Sequence, residues 1–294
     1  MKKVNPFQAP GRWYKANLHT HTALSDGTQP LEERVRQYRE AGYQILAITD
    51  HRLVSTAAAL SGPDFLVIDG IETHPGCIPG GDKYHLVVLN APTGLEFPDE
   101  SSAAERIRMA RAAGAEVIIG HPYWCGHQLP HLMPLQGAAA VEVFNTTCTK
   151  RGKGYSSVQW DDLLDSGWWL PAVAVDDTHG GWDLFKGWTM FKLESLTPAA
   201  FLESLRTGAF YASCGPVIED FSLAGDGTKV RLRCSPVTEI HLVAQRSCGR
   251  SFYAQAGETI TEAELELGTS IRYLRGEVVD REGRHAWTNP FWLA

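Results

Sequence analysis

Short apolar runs rich in β-branched residues alternate with amphipathic stretches from residue 17 to about residue 214. This alternation is typical of successive βα units around a parallel sheet. The candidate strands begin at Leu18, Ile45, Leu66, Leu86, Val117, Val141 and Ala172. Seven strands with interleaved helices predict an α/β barrel.

Four amphipathic segments predict the helices between these strands, and they span residues 30–40, 102–113, 157–166 and 197–206. Thr28 is available to cap the first helix, and Gly42 follows its end. The last helix has Pro198 in its first turn, where proline is favoured, and ends before Gly208.

The pattern changes after Gly215 and Pro216, where short alternating runs replace the helical periodicity. These runs cover residues 230–234, 240–244, 270–275 and 277–279. We therefore expect a catalytic barrel over residues 1–215 and a small antiparallel β domain over residues 216–294, packed on the barrel.

Composition narrows the classes of function. The 294 residues carry a formal net charge of -7, which argues against a broad duplex nucleic-acid interface, although a local basic pocket for one phosphate is compatible with it. Six cysteines without a CxxC pair favour reduced thiols and a cytoplasmic protein. Residues 1–14 lack the apolar run of a signal peptide, and the apolar runs are far shorter than the roughly 20 residues of a membrane helix.

Histidine and acidic residues cluster where the predicted strands end. In a parallel barrel those ends form one face, so residues far apart in sequence converge there. In the first strand, His19 and His21 alternate with apolar or hydroxyl neighbours, and a period of two sends both imidazoles to one side. We expect this pair to bind a metal ion.

The following segments bring further candidates to the same face. Asp26 lies in a Ser-Asp-Gly turn, where a structural turn residue is the alternative. The other candidates are Asp50 and His51 after the second strand, Glu72 and His74 after the third, His85 before the fourth, His121 after the fifth, and Asp176, Asp177 and His179 after the seventh. Burying so many charged groups together is costly unless divalent cations balance them.

These motifs, in this order, resemble the PHP (polymerase and histidinol phosphatase) superfamily. The resemblance rests on His19-Thr-His21, the Asp26-Gly turn, Thr49-Asp50-His51, Glu72, His85, Gly120-His121-Pro122 and Asp177-x-His179, over residues 15 to 180. It implies a distorted (β/α)7 TIM-like barrel holding two or three divalent metal ions, usually Mn, Zn or Fe.

The resemblance also implies three ligand groups. His19, His21, Glu72 and Asp177 would hold the first metal. Glu72 would bridge to a second metal held by His85 and His121, with His74 as a rival to His85. Asp26, His51 and His179 would hold the third.

A second, less specific resemblance concerns the end of the chain. The segment from Ser204 to Pro216 and the residues from Ala286 to Leu293 resemble a PHP subgroup that includes carbaryl-hydrolase-like enzymes. Activity toward a carbamate or a carboxylic ester is therefore one alternative, and a non-catalytic metal-binding accessory module is another. A Gly-x-Ser-x-Gly elbow, which a serine hydrolase needs, is absent from the sequence.

We expect a phosphoesterase that acts on a small phosphate mono- or diester, including nucleotide-like molecules, through a hydroxide that bridges the metals. Asp176 or His74 is the candidate proton carrier, although Asp176 is equally suited to orienting a ligating imidazole. Substrate-binding candidates are Arg52, Lys83, Arg151 and Trp182. Solvated charges and ordinary packing are the alternatives for these four.

Overall fold

The computed structural model describes residues 3–78, 80, 82–224, 227–268 and 270–293. Its strands are β1 Arg12–Asn17, β2 Ile45–Ile48, β3 Leu66–Thr73, β4 Leu86–Leu89, β5 Glu116–Ile119, β6 Ala140–Asn145, β7 Ala172–Val175, β8 Trp188–Leu193, β9 Phe210–Ser213, β10 Ile218–Leu223, β11 Lys229–Val237, β12 Glu239–Ala244, β13 Gly249–Tyr253, β14 Ile260–Glu266, β15 Tyr273–Val279, β16 His285–Thr288 and β17 Phe291–Trp292. Six of the predicted strands begin within one residue of the expected position. The first differs, because β1 ends at Asn17, just before the start that we predicted.

The helices are α1 Leu31–Glu40, α2 Ala103–Ala112, α3 Pro122–Cys125, α4 Leu129–Leu132, α5 Thr146–Thr149, α6 Ser157–Asp165 and α7 Pro198–Thr207, with 3-10 turns at Ala58–Leu60 and Met133–Leu135. The four predicted helices are α1, α2, α6 and α7. Helix α2 begins with a capping box between Ser102 and Glu105. Helix α1 begins after Pro30 without a side-chain cap. The predicted cap from Thr28 is therefore wrong.

One large mixed sheet organises the molecule, with strand order β13-β12-β15-β16-β9-β8-β1-β2-β3-β4-β5-β6-β7. Within it, β1–β2–β3 and β5–β6–β7 are parallel. Strand β4 is antiparallel to both of its neighbours, so the fully parallel sheet that we predicted is wrong. The reversal places the start of β4 at the same edge as the carboxyl ends of β3 and β5.

The described strands form no ladder between β7 and β1. Backbone hydrogen bonds nevertheless join the segments that follow them: Asp177 N donates to His19 O, and His21 N donates to Thr178 O, each at 3.0 Å. The topology confirms an α/β fold with a large mixed sheet and does not confirm a TIM-like barrel.

The C-terminal strands divide between two sheets. Strands β12, β13, β15 and β16 extend the large sheet through the β16–β9 pairing, whereas β10, β11 and β14 form a separate antiparallel sheet. The predicted β-rich character of this region agrees with these strands, and the domain boundary at residues 215–216 stays a prediction.

The central strands are buried on both faces, which explains their continuous apolar sequences. Every residue of β2, β4, β5 and β7 is buried. The candidate ligand side chains lie instead at the edge formed by the strand ends.

No helix in the described part of the chain is long and apolar enough to cross a membrane.

Candidate metal centre

The His19-x-His21 pair lies just after β1 and is completely buried. The two imidazole rings have centroids 5.0 Å apart. The Nδ1 of His19 donates to Glu142 Oε1 at 2.7 Å, which leaves Nε2 facing the cluster. The Nε2 atom of His19 has no hydrogen-bond partner and is therefore free to act as a ligand.

Glu72 lies at the centre of the cluster, near the end of β3, and is 1% exposed. One carboxylate oxygen, Oε1, lies 2.6 Å from His85 Nδ1 and 3.6 Å from His121 Nε2. The other, Oε2, lies 2.7 Å from His51 Nδ1 and 3.5 Å from His19 Nε2. A carboxylate approached on both oxygens by imidazoles is suited to bridging two metal ions.

The first predicted ligand group comes together. Asp177 Oδ1 lies 3.3 Å from His19 Nε2 and 3.0 Å from His21 Nε2. Glu72 Oε2 lies 3.5 Å and 3.6 Å from the same two nitrogens. Ligand atoms bound at about 2.1 Å in a tetrahedral site are about 3.4 Å apart, so these separations fit one metal ion.

The second group consists of Glu72, His85 and His121, whose ligand atoms all lie within 4.8 Å of one another. His85 reaches it because β4 is reversed: His85 immediately precedes β4, beside the end of β5. Gly120 allows the close approach, because its N donates to His85 O at 2.9 Å and a Cβ there would lie 3.1 Å from that oxygen.

The third group joins three loops at the outer side of the cluster. Asp26 lies 3.4 Å from the Nε2 atoms of both His51 and His179, and its side chain is 54% exposed. His21 contributes its second nitrogen, with Nδ1 at 3.9 Å from Asp26 Oδ1. This group is the most open of the three.

Unpartnered buried atoms support the metal interpretation. The buried nitrogen atoms that lack a hydrogen-bond partner include His19 Nε2, His21 Nδ1 and His74 Nδ1. Leaving such groups buried without partners is costly. Divalent cations would supply the missing partners, so the residues present fit divalent metal ions.

Electrostatics favour the ionised carboxylates of the cluster. Burial alone would raise the pKa of Glu72, but the neighbouring His19 and His85 outweigh it and hold that pKa well below its usual range. For Asp177, burial likewise opposes ionisation, and His19 and His21 lower its pKa below the ordinary value. Both side chains are thus in the form that binds metal.

Two residues of the site were not predicted from the sequence. Glu142, on β6, is 1% exposed, and its Oε2 accepts from His121 N and from Asn145 Nδ2, each at 2.9 Å. Asn145 also donates to Asp177 Oδ2 at 3.1 Å. A glutamate inside an apolar strand, at Val141-Glu142-Val143, was the available signal, because an ionisable residue there needs a polar partner.

Asp176 lies outside the three ligand groups, and its role as a proton carrier stays a prediction. Its carboxylate is fully buried and accepts hydrogen bonds from Tyr38 Oη, Thr146 Oγ1 and three backbone N–H groups of residues 185–187. None of these donors is an imidazole of a candidate ligand. Asp176 anchors the loop after β7.

His74 lies beside the cluster, with Nε2 at 3.4 Å from Glu72 Oε2, and its Nδ1 is buried without a partner. It forms a ligand group with His51 and Glu72. The structure therefore separates the two rivals: His74 approaches Oε2 of Glu72, and His85 approaches Oε1. A role for His74 in proton transfer stays a prediction.

Two adjoining cavities open beside the cluster, with volumes of about 460 Å³ and about 710 Å³. Both are lined by Arg52, His74 and Lys83, so two predicted substrate-binding cations lie next to the ligands. Among the described residues, Arg151 and Trp182 line neither cavity. Arg151 lies over the ring of Trp124 at 5.5 Å.

Three of the six described non-glycine residues with positive φ lie at the same edge. Arg52, His121 and Asp177 have positive φ values of 62°, 24° and 54°, although none is glycine. Such conformations cost about 1–3 kcal/mol each and persist where the surrounding structure enforces them. Arg52 follows the candidate ligand His51, and His121 and Asp177 each lie two residues after the last residue of a strand, at the edge that carries the site.

Comparisons with known proteins agree with this arrangement. The PHP domain model matches residues 17–146. A comparison with curated proteins found no match. A two-domain protein from Bacteroides vulgatus that contains a predicted PHP-like metal-dependent phosphoesterase is 17% identical, with a TM-score of 0.56, and the alignment covers 100% of this chain and 99% of that one.

A second solved structure is an amidohydrolase from Chromobacterium violaceum, with bound sulfate and no metal. It is 15% identical, with a TM-score of 0.49, over 66% of this chain and 96% of that one. The carbaryl-hydrolase-like subgroup is not confirmed by these comparisons. Residues 17–146 thus match the PHP domain, and the chain as a whole shares its fold with the two-domain Bacteroides vulgatus protein.

Proposed function

We propose that this chain is a PHP-superfamily phosphoesterase that depends on two or three divalent ions of Mn, Zn or Fe and hydrolyses a phosphate mono- or diester. The observation that carries the proposal is the position of Glu72, which is shared by ligand groups on both of its oxygens. The bonds between the ends of β1 and β7 support a distorted barrel as part of this proposal.

Divalent ions bound at this site would act as Lewis acids toward a phosphate ester. The protein's own groups supply positioning. Glu142 fixes the tautomer of His19 by accepting from Nδ1. The charged groups of Arg52 and Lys83 have no ion-pair partner among the described residues, and they face the cavities beside the ligands, where they can bind a phosphate.

The test is turnover of aryl phosphate mono- and diesters beside an aryl ester and an aryl carbamate, with added Mn and after chelation. We expect phosphate ester cleavage that chelation abolishes and Mn restores. Selective carbamate or ester cleavage would replace the proposed substrate class. Metal binding without turnover of any of these would favour the accessory module.

A variant links the activity to the cluster. Glu72→Ala should lose both metal content and turnover, because it removes the ligand shared between groups. Glu116→Ala is the matched control, since Glu116 is also a buried carboxylate on a strand but pairs with Arg206 outside the cluster. If Glu72→Ala kept its metal and its turnover, the ligand assignment would be wrong.

A further inference from the structure

Cationic side chains lie against exposed aromatic rings on the loops after β5, β6 and β7. Trp182 is 43% exposed, and the Nζ atoms of Lys150 and Lys186 lie 5.9 Å and 5.3 Å from its ring centroid. Tyr123 is 40% exposed, with Lys153 Nζ at 5.5 Å. We call this surface the cation–aromatic rim, and its residues are Tyr123, Lys150, Arg151, Lys153, Trp182 and Lys186.

The rim is a positive region on an acidic protein. Residues 121–126, 146–158 and 178–188 contain a single acidic residue, Asp183. Its carboxylate is buried and accepts from Thr178 Oγ1 and from the N–H groups of His179 and Gly180. No exposed carboxylate in these segments therefore neutralises the four cations, although the chain carries a net charge of -7.

The rim borders the metal centre. Strands β5, β6 and β7 are parallel neighbours, so the loops that follow them share one edge of the sheet. Tyr123 is two residues after His121, and Trp182 is three residues after His179. Thr147 Oγ1 donates to Asp177 O at 2.7 Å, which ties the lysine-bearing loop to the cluster.

We propose that the cation–aromatic rim binds single-stranded nucleic acid and leads it to the metal centre. The proposal rests on the proposed phosphoesterase function, and it names single-stranded oligonucleotides as the substrate class of that enzyme. Exposed rings stack on unpaired bases, while lysine and arginine side chains pair with the phosphates between them. A duplex hides the faces of its bases, so it offers the rings nothing to stack on.

The test is fluorescence anisotropy of a labelled 15-nucleotide oligothymidylate on the metal-loaded protein at 4 °C, with the oligonucleotide checked for cleavage on a gel. We expect the logarithm of the observed association constant to fall linearly with the logarithm of the salt concentration. The slope should be about -2, as for three phosphate contacts. Trp182→Ala should weaken binding roughly 5- to 100-fold, the range of losing one stacked base. Lys150→Gln should weaken binding and flatten the salt slope.

Matched controls lie on the C-terminal strands. Tyr253→Ala removes an exposed ring and Lys229→Gln an exposed cation, both far along the chain from the rim, and neither should change the affinity. Thermal melting of each variant would establish that it is folded. Equal weakening by rim and control variants would overturn the proposal.

Competitors separate the contributions of base and phosphate. Duplex DNA and inorganic polyphosphate should each compete at least tenfold more weakly than oligothymidylate. Equal competition by polyphosphate would overturn the stacking role, and tighter binding of the duplex would overturn the single-strand preference. If wild-type protein cleaves an aryl phosphodiester but does not bind the oligonucleotide, this proposal fails while the proposed function stands.

Discussion

Among single residues, two buried carboxylates of the site differ in the groups that they contact. Glu72 faces imidazole nitrogens of the candidate ligands on both oxygens. Glu142 accepts from His19 on one oxygen and from backbone and amide groups on the other. A carboxylate that holds the second nitrogen of a ligating histidine fixes the ring and raises its basicity. Glu142 is therefore a positioning residue in the proposed metal centre.

Substituting Glu142 tests this role. Glu142→Gln should lower the affinity for Zn or Mn by roughly 10- to 100-fold, because the His19 tautomer is no longer fixed by a carboxylate. Competition with a metallochromic chelator measures the affinity directly, without reference to turnover. Glu203→Gln, at an exposed glutamate on α7, is the control and should leave the affinity unchanged.

Asp176 provides a contrasting prediction. Asp176→Asn places an NH₂ group where five donors converge, and lost hydrogen bonds to a buried charge should lower the unfolding free energy by at least about 2 kcal/mol. Urea unfolding measures that loss. If the variant were as stable as wild type but its rate no longer changed with pH on one side of the optimum, Asp176 would act in catalysis.

At the scale of elements, the direction of β4 decides which histidines meet. Had β4 been parallel to β3, the residue before it would lie at the opposite edge of the sheet. The antiparallel register pairs Thr73 with Leu86 and Leu86 with Ile119, so His85 lies between His74 and Gly120. One reversed strand thereby completes the second ligand group.

Helix caps give an element-scale prediction. Ser102→Ala should lower the unfolding free energy by about 1 kcal/mol, because it removes the capping box of α2. Thr28→Ala is the comparison, since Thr28 is exposed and α1 has no side-chain cap. Chemical denaturation of both variants should show a clear loss for Ser102→Ala only, and equal losses would contradict the observed caps.

At the scale of the whole molecule, buried charges fix the C-terminal strands to the rest of the chain. Arg275, on β15, is 2% exposed and pairs with Asp161 on α6 at 2.7 Å and with Glu277 at 2.7 Å. His285 donates to the other oxygen of Glu277 at 2.8 Å. Strands β12, β13, β15 and β16 are thus connected to the rest of the large sheet by backbone pairing, and β15 is also connected to α6 by an ion pair.

This network predicts a pH-dependent contribution to stability. Burial opposes ionisation of Glu277, but Arg275 and His285 outweigh it and lower its pKa to about 2. A folded-state pKa below the unfolded value stabilises the protein fully above about pH 5, and this contribution is lost as the pH falls through about 2.

The free energies of unfolding of wild type and Glu277→Gln should therefore differ most near pH 7. The difference should shrink by roughly 3 kcal/mol toward pH 2–3, since each pKa unit corresponds to about 1.4 kcal/mol. Urea denaturation across this pH range measures it. A difference that stays constant with pH would show that Glu277 does not titrate as the structure indicates.

Local sequence patterns specify most of the strands and helices and the chemistry of the candidate ligands. Apolar runs, amphipathic periodicity and helix-stop glycines are local signals, so six strands and four helices were placed closely. The types and order of His, Asp and Glu pointed to a metal centre for the same reason. These features depend on neighbouring residues along the chain.

The direction of β4 and the roles of the buried carboxylates depend on contacts between distant segments, so they could be read only from the folded chain. The direction of β4 is set by pairing with strands on either side, which a short apolar run cannot encode. The roles of Glu142 and Asp176 depend on which donors surround each carboxylate: both are buried acids, yet one holds a ligand and the other a loop. Strand ends and residue types suggest candidates, and three-dimensional packing assigns their roles.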